Sequence, residues 1–291
     1  MRLPKTSRPA GTAMSEVVLG KGDYVAGGAH SLPFLDLDSA RRRRPLVFGE
    51  VLCNLSEVSE LAAGMFSGRH TDPEEWSVMW REIGADGVCL RLGPTAHDQD
   101  ASVSLVRKVE ERSRLPVYVC GCGDNTVDVP LMERIASDIN DSVLILGSSG
   151  PVMSMALAQS CGIHAVIARA KDGEALADLE GMMCQHTSRI IAQLDQKALG
   201  GGIETSMAEA EDVRARGISG GLGAPLLCDV TGAWESVTEQ GGDEYASVRR
   251  VSLTEATAAL AMMLSGADIV VVRGPGAADM ARVYGEELAD L

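Results

Sequence analysis

Aromatic side chains are scarce in this chain of 291 residues: three Trp, four Tyr and three Phe make up 3% of it. A core with so few rings must be built from Ala, Val, Leu, Ile and Met, which suits close helix-on-strand packing better than an aromatic-rich β-sandwich. Paired cysteines are lacking too. Cys53, Cys89, Cys120, Cys122, Cys161, Cys184 and Cys228 are odd in number and stand mostly alone in apolar runs, so they read as reduced core thiols of a cytoplasmic protein. The one close pair, Cys120-Gly121-Cys122, lacks the two-residue spacer and the second pair of the usual zinc and redox motifs, which argues against a metal or cluster held by this chain. Positive charge is short, with 26 Lys and Arg against 41 Asp and Glu and a net charge of −15. Nucleic acid is therefore not an expected partner. No apolar run approaches the roughly 20 residues that span a bilayer, and residues 1–28 contain no continuous apolar stretch of the signal-peptide kind. Neither secretion nor a membrane partner is expected.

What the chain does have is repetition. From residue 45 onward short aliphatic runs alternate with longer amphipathic ones, the pattern of βα units on a parallel sheet. Eight strands are expected, at Leu46–Leu52, Gly87–Leu92, Val117–Gly121, Val143–Gly147, Ile163–Ala168, Arg189–Leu194, Pro225–Asp229 and Asp268–Arg273. Each is nearly uniformly apolar, as a strand covered on both faces must be. Helix starts are marked by Asp72-Pro73-Glu74-Glu75, by Asp100, and by Ser252-Leu253-Thr254-Glu255, spaced as a capping box. Residues 46–288 come close to the roughly 250 residues of an eightfold βα (TIM) barrel. The absence of a Gly-x-Gly-x-x-Gly turn after any strand weighs against the open dinucleotide-binding alternative. The expected organisation is one TIM-barrel domain over residues 24–291 after a short, flexible N-terminal extension over 1–23, with Met1 and Met14 both possible starts.

Barrel chemistry sits at the C-terminal ends of the strands. His30, His70, His97, His164 and His186 all fall elsewhere, no Gly-x-Ser-x-Gly elbow is present, and the lysine nearest a strand end, Lys171, is not placed for a Schiff base. The rim offers instead glycine-rich turns, a few carboxylates and two arginines. The turn Leu199-Gly200-Gly201-Gly202-Ile203-Glu204 would let backbone approach a flat ligand closely, or is simply a long turn. The long loop over 230–250 carries Trp234. The basic run Arg41 to Arg44 reads as a solvated lead-in to the first strand.

In order along the chain, Gly27-Gly28-Ala29-His30-Ser31-Leu32-Pro33-Phe34, Glu50-Val51, Asp72-Pro73-Glu74-Glu75-Trp76, Ala85-Asp86 with Leu90-Arg91-Leu92, Gly121-Cys122-Gly123, Asp195 with Gly202-Ile203-Glu204, and Gly266-Ala267-Asp268 with Arg273 and Pro275 resemble the small subunit of the corrinoid iron-sulfur protein. In the acetyl-CoA decarbonylase/synthase complex this is the delta subunit. The resemblance implies a non-catalytic or weakly catalytic accessory barrel of a methyl-transferring complex, one that caps a corrinoid (cobalamin) held by a large subunit, with the iron-sulfur cluster only on that partner. The heterodimer would carry methyl groups between methyl-tetrahydropterin and acetyl-CoA synthase in the reductive acetyl-CoA (Wood-Ljungdahl) pathway of one-carbon metabolism, meeting a methyltransferase and the synthase transiently. Gly201, Gly202, Glu204, Asp229, Trp234 and Arg273 are the positions expected to face the cofactor. The chain departs from the family at Gly201 and Thr205, where tyrosines are usual, and at Cys53, Thr254 and Gly274. One alternative is a free-standing methyltransferase that holds a methylated pterin with Asp124, Asn125 and Asp195, whose side chains supply the donors and acceptors a pterin edge needs. Another is a degenerate paralogue that keeps only the partner interface.

Overall fold

Eight runs rich in Val, Ile, Leu, Ala and Cys become eight parallel strands, four of them buried along their whole length and four with a single half-buried residue. A computed structural model describes residues 14–29, 43–58, 60–66, 72–194, 202–220, 223–236 and 244–290. The strands are β1 Glu16–Leu19, β2 Tyr24–Gly27, β3 Leu46–Leu52, β4 Gly87–Arg91, β5 Val117–Cys120, β6 Ile145–Leu146, β7 Ala165–Ala170, β8 Ile190–Leu194, β9 Leu226–Asp229 and β10 Ile269–Val272. The helices are α1 Glu60–Phe66, α2 Pro73–Glu82, α3 Gln99–Ser113, α4 Asn125–Asp138, α5 Pro151–Ser160, α6 Gly173–Met183, α7 Ile203–Ile218, α8 Ala233–Ser236, α9 Glu244–Leu264 and α10 Pro275–Asp290. Strands β3 to β10 pair in sequence order and β10 closes back on β3, giving an eightfold βα barrel. Outward-facing strand residues such as Val47, Val88, Val119, Val166 and Val270 pack under the helices, and the inward-facing ones form a second core inside the barrel.

The N-terminal end of the barrel is sealed by a hairpin. Strands β1 and β2 pair antiparallel from Glu16 opposite Gly27 to Leu19 opposite Tyr24. Val17, Leu19 and Ala26 join the interior core with Leu46, Phe48, Ile145, Leu227 and Ile269, while Glu16 and Val18 face out. Gly20 bridges Val143 and the Ser15 N–H donates to the Gly223 carbonyl, so the hairpin meets the chain just before β6 and β9. The extension expected over residues 1–23 therefore needs correction: residues 14–23 belong to this plug, because alternate apolar residues in β1 find buried space at the barrel floor. The basic run before β3 is likewise engaged. Arg43 pairs with Glu16, and Arg44 forks onto Asp86 at 2.5 and 2.6 Å.

Helix starts follow the caps in part. Asp72 accepts from the Glu74 N–H with Pro73 in the first turn of α2. Asp98, not Asp100, caps α3; Asp100 sits in its first turn. The expected capping box at Ser252 lies inside α9, which already begins at Glu244 and so takes over part of the expected long loop. Glu255 instead reaches sideways to the start of α10. Among the described residues no helix is long and apolar enough to cross a membrane.

Candidate functional site

Every second residue of a barrel strand points inward. Leu46 and Phe48 on β3, Cys89 on β4, Tyr118 on β5, Ile167 on β7, Ile191 on β8, Leu227 on β9 and Val271 on β10 fill the lower interior. The next inward position up each strand is different in character: Glu50, Arg91, Cys120, Gly147, Arg169, Gln193, Asp229 and Arg273. The topmost interior layer, at the C-terminal ends of the strands, is thus made of charged, amide and thiol groups around one glycine. A layer of this kind adds nothing to the apolar core, and it needs mutual pairing to exist at all.

That pairing runs as a chain of alternating charge. Glu50 is wholly buried and accepts from Arg91 Nε through one oxygen and from Arg273 Nε, at 2.5 Å, through the other. Arg91 reaches on to Asp229 at 2.5 Å, and Arg273 to Glu235 at 2.8 Å. Burial alone would raise the Asp229 carboxyl, but Arg91, with the Thr231 hydroxyl and N–H, holds it below the usual carboxylate range. Burial likewise opposes the charge on Arg91, and Asp229 and Glu50 keep it protonated. Behind this chain lies Glu255, also wholly buried. It accepts from the backbone N–H groups of Arg273 and Gly274 and from the indole of Trp234, at 2.6, 2.9 and 2.8 Å, and so fixes the turn that aims Arg273. Burial nevertheless pushes its carboxyl up to about 8.

Across the mouth stands a second, neutral cluster. The Tyr118 hydroxyl donates to Gln193 Oε1 at 3.2 Å, which leaves the amide NH2 outside that bond, and Gln193 lines the cavity. Cys89 and Cys120 bring their sulfurs to 3.8 Å. Next to Cys120 the turn Gly121-Cys122-Gly123 is gripped by Asp128, whose carboxylate accepts the N–H groups of Cys122 and Gly123 at 2.9 and 2.7 Å. Gly121 is required there, since a Cβ would collide with the Asp128 carboxylate, and Gly123 holds a φ of +91°. These groups enclose a cavity of about 530 Å³, lined by Arg91, Cys120, Arg169, Gln193, Asp229 and Arg273 among others. Its size is that of a small-molecule site.

Of the six positions expected to face a cofactor, Asp229 and Arg273 line the cavity. Gly202 and Glu204 lie at the start of α7, where Gly202 is the N-cap with a φ of +111° and Glu204 is exposed; neither lines the cavity. Trp234 is fully buried behind the wall, packed with Leu61, Ala62 and Val251. Its indole N–H is spent on Glu255, so it supports the site rather than facing it. Gly201 lies outside the described residues, as does Asp195. Asp124 caps α4 through Thr126, and the Asn125 amide oxygen accepts from Ser149; both residues are exposed, and neither is among those lining the cavity. Glu50 and Arg91 were read as part of strand-end motifs but not as positions facing a cofactor, and Cys120, Tyr118 and Gln193 were not singled out as site residues. Counting two residues up from the last apolar inward position of each strand would have found Glu50, Arg91, Cys120 and Gln193.

Compared by sequence, the chain matches no protein-family model and no curated protein. Compared by structure, it is similar to dihydropteroate synthase (FolP) from Thermus thermophilus, with 13% identity, a TM-score of 0.59, and coverage of 94% of this chain and 98% of that one. Dihydropteroate synthase from Xanthomonas albilineans in complex with 7,8-dihydropteroate has 16% identity, a TM-score of 0.55, and coverage of 84% and 94%. The synthase from Stenotrophomonas maltophilia has 13% identity, a TM-score of 0.57, and coverage of 84% and 93%. At these identities the likeness is one of fold, and the fold is that of the dihydropteroate synthase barrels.

Proposed function

We propose that the mouth of this barrel binds a reduced pterin and that the chain works in one-carbon transfer as a pterin-binding barrel of the methyltransferase kind. The observation that carries the reading is the pair Gln193 and Asp229, inward-facing on the neighbouring strands β8 and β9. The amide NH2 is a donor with no partner among the described residues, and the ionised Asp229 carboxylate is an acceptor with lone pairs to spare. A pterin edge presents a 4-oxo acceptor beside ring N–H and amino donors, the complement of that pair. Arg91 and Thr231 hold Asp229 in place before any ligand arrives, which keeps the cost of ordering the site low. The shared fold with dihydropteroate synthases, one of them holding 7,8-dihydropteroate, supports the same reading.

A second reading, the corrinoid-capping small subunit, is supported by the ordered run of motifs from residue 24 to 288. A corrin macrocycle is too broad for a cavity of about 530 Å³ and would lie across the mouth. There the chain's own contribution would be to exclude water above the Glu50–Arg273 chain, while the corrinoid supplies the methyl-carrying chemistry and the large partner its cluster. The two readings separate in the isolated chain. Calorimetric titration with 5-methyltetrahydrofolate is expected to give micromolar binding, weakened about tenfold or more in Asp229→Ala, since losing a charged hydrogen bond costs about 1.5–3 kcal/mol. Gln193→Glu is expected to shift preference from 4-oxo pteridines to 4-amino ones. No heat with any reduced pterin from a folded chain contradicts the pterin reading, and retention of a corrinoid only with a large subunit then favours the second.

A further inference from the structure

The cavity wall contains a thiol that neither reading uses. Cys120 lines the mouth, level with Arg91 on the adjacent strand β4. Its sulfur lies 3.8 Å from that of Cys89, and Tyr118 stands two residues below it on β5. We propose that Cys120 is a modification site of this protein, oxidised by a hydroperoxide that enters the mouth and held there as a sulfenic acid.

Reactivity follows from the surroundings. Nucleophilic thiols sit in partly open, electropositive places with donors aimed at the sulfur. Burial pushes Cys89 well above the ordinary cysteine value, so Cys89 keeps its proton and donates it toward Cys120. That hydrogen bond pulls Cys120 below the ordinary value against burial, with Arg91 helping and Asp229 opposing. The other cysteine on the cavity wall, Cys122, is pushed up by burial and by its bond to Asp128. The exposed Cys184 is pushed up by partial burial and by Glu180.

In the oxidation the Cys120 sulfur attacks one peroxide oxygen. The S–O bond forms as the O–O bond breaks, sulfur gives two electrons to the peroxide, and the thiol proton goes to the departing oxygen as water or an alcohol. The barrel register then decides the product. Cys89 is level with Tyr118 and Cys120 with Arg91, an offset of two residues between adjacent parallel strands. A strand spacing of about 4.8 Å and a rise of about 3.3 Å per residue put the two backbones about 8 Å apart. That exceeds the roughly 7 Å within which a disulfide closes without backbone movement. Both strands are hydrogen-bonded on each side within the closed barrel and have no freedom to approach. The sulfenic acid is therefore not resolved by its neighbour.

The test is site mapping of the full-length protein by mass spectrometry after hydrogen peroxide, with and without dimedone as the sulfenic-acid trap. The expected result is a first dimedone adduct on Cys120, formed several-fold more slowly in Cys89→Ala, and no loss of two hydrogens linking Cys89 to Cys120. The order of labelling in the unmutated chain stands whether or not that variant folds. A first adduct on Cys122 or Cys184, or a Cys89–Cys120 disulfide, overturns the proposal, and neither outcome depends on what ligand the cavity takes.

Discussion

Glu255 shows how a single side chain serves the mouth from behind. It ties Trp234 of α8 to the first N–H groups leading into α10, and Arg273 points inward because of that tie. Its carboxyl, at about 8, stays protonated in the folded chain over a range where an exposed glutamate is ionised. Raised in the folded state, it contributes stability that is fully present below about pH 4.5 and is lost as the pH rises through 8. Glu255→Gln carries no such proton. The variant is expected to be less stable overall at low pH by about 1–3 kcal/mol, from an N–H donor left without its acceptor. Its deficit should shrink as the pH rises from 5 to 9 in denaturant titrations. Parallel stability curves for the two proteins would contradict the assignment. The same residue explains why the capping-box pattern at Ser252 misled: the spacing is real, but Glu255 is drawn to another helix's start by donors distant in the sequence.

At the scale of elements, the strands were legible and the plug was not. Each barrel strand is a short apolar run bounded by polar turns, and Leu46–Leu52 comes out as expected to the residue. The centre of every other strand was also located, although β6 shrinks to Ile145–Leu146. The hairpin was hidden because β1 is only four residues long and alternates, burying Val17 and Leu19 while showing Glu16 and Val18. That brief pattern has meaning only once a barrel floor exists to receive it. Leu19→Ala is expected to cost about 2–5 kcal/mol in denaturant unfolding, as deletion of a fully buried leucine does. Val18→Ala, on the open face, is expected to stay within about 0.5 kcal/mol. Equal effects at the two positions would mean that the hairpin does not seal the barrel.

For the whole molecule, the closed barrel converts a period of two along each strand into a ring of eight positions at one height. The apolar residues at the lower positions build the core, and charged ones at the top, Glu50, Arg91, Asp229 and Arg273, are held inside by pairing with one another. This is why the fold could be read from apolar runs, whereas the site required knowing which residues share a height. Asp229 and Arg273 were found at strand ends; Gln193, one residue inside its strand, was passed over because its neighbours are apolar. Tyr118 and Cys89 looked like core residues in sequence, and they are buried, yet they shape the cavity from beneath. A crystal structure of the chain grown with a reduced pterin decides whether this top layer is a pterin site: the ring is expected inside the mouth, with its 4-oxo group at Gln193 and its N–H edge at Asp229. A ring bound elsewhere, or a mouth left empty at saturating ligand, would contradict the pterin reading.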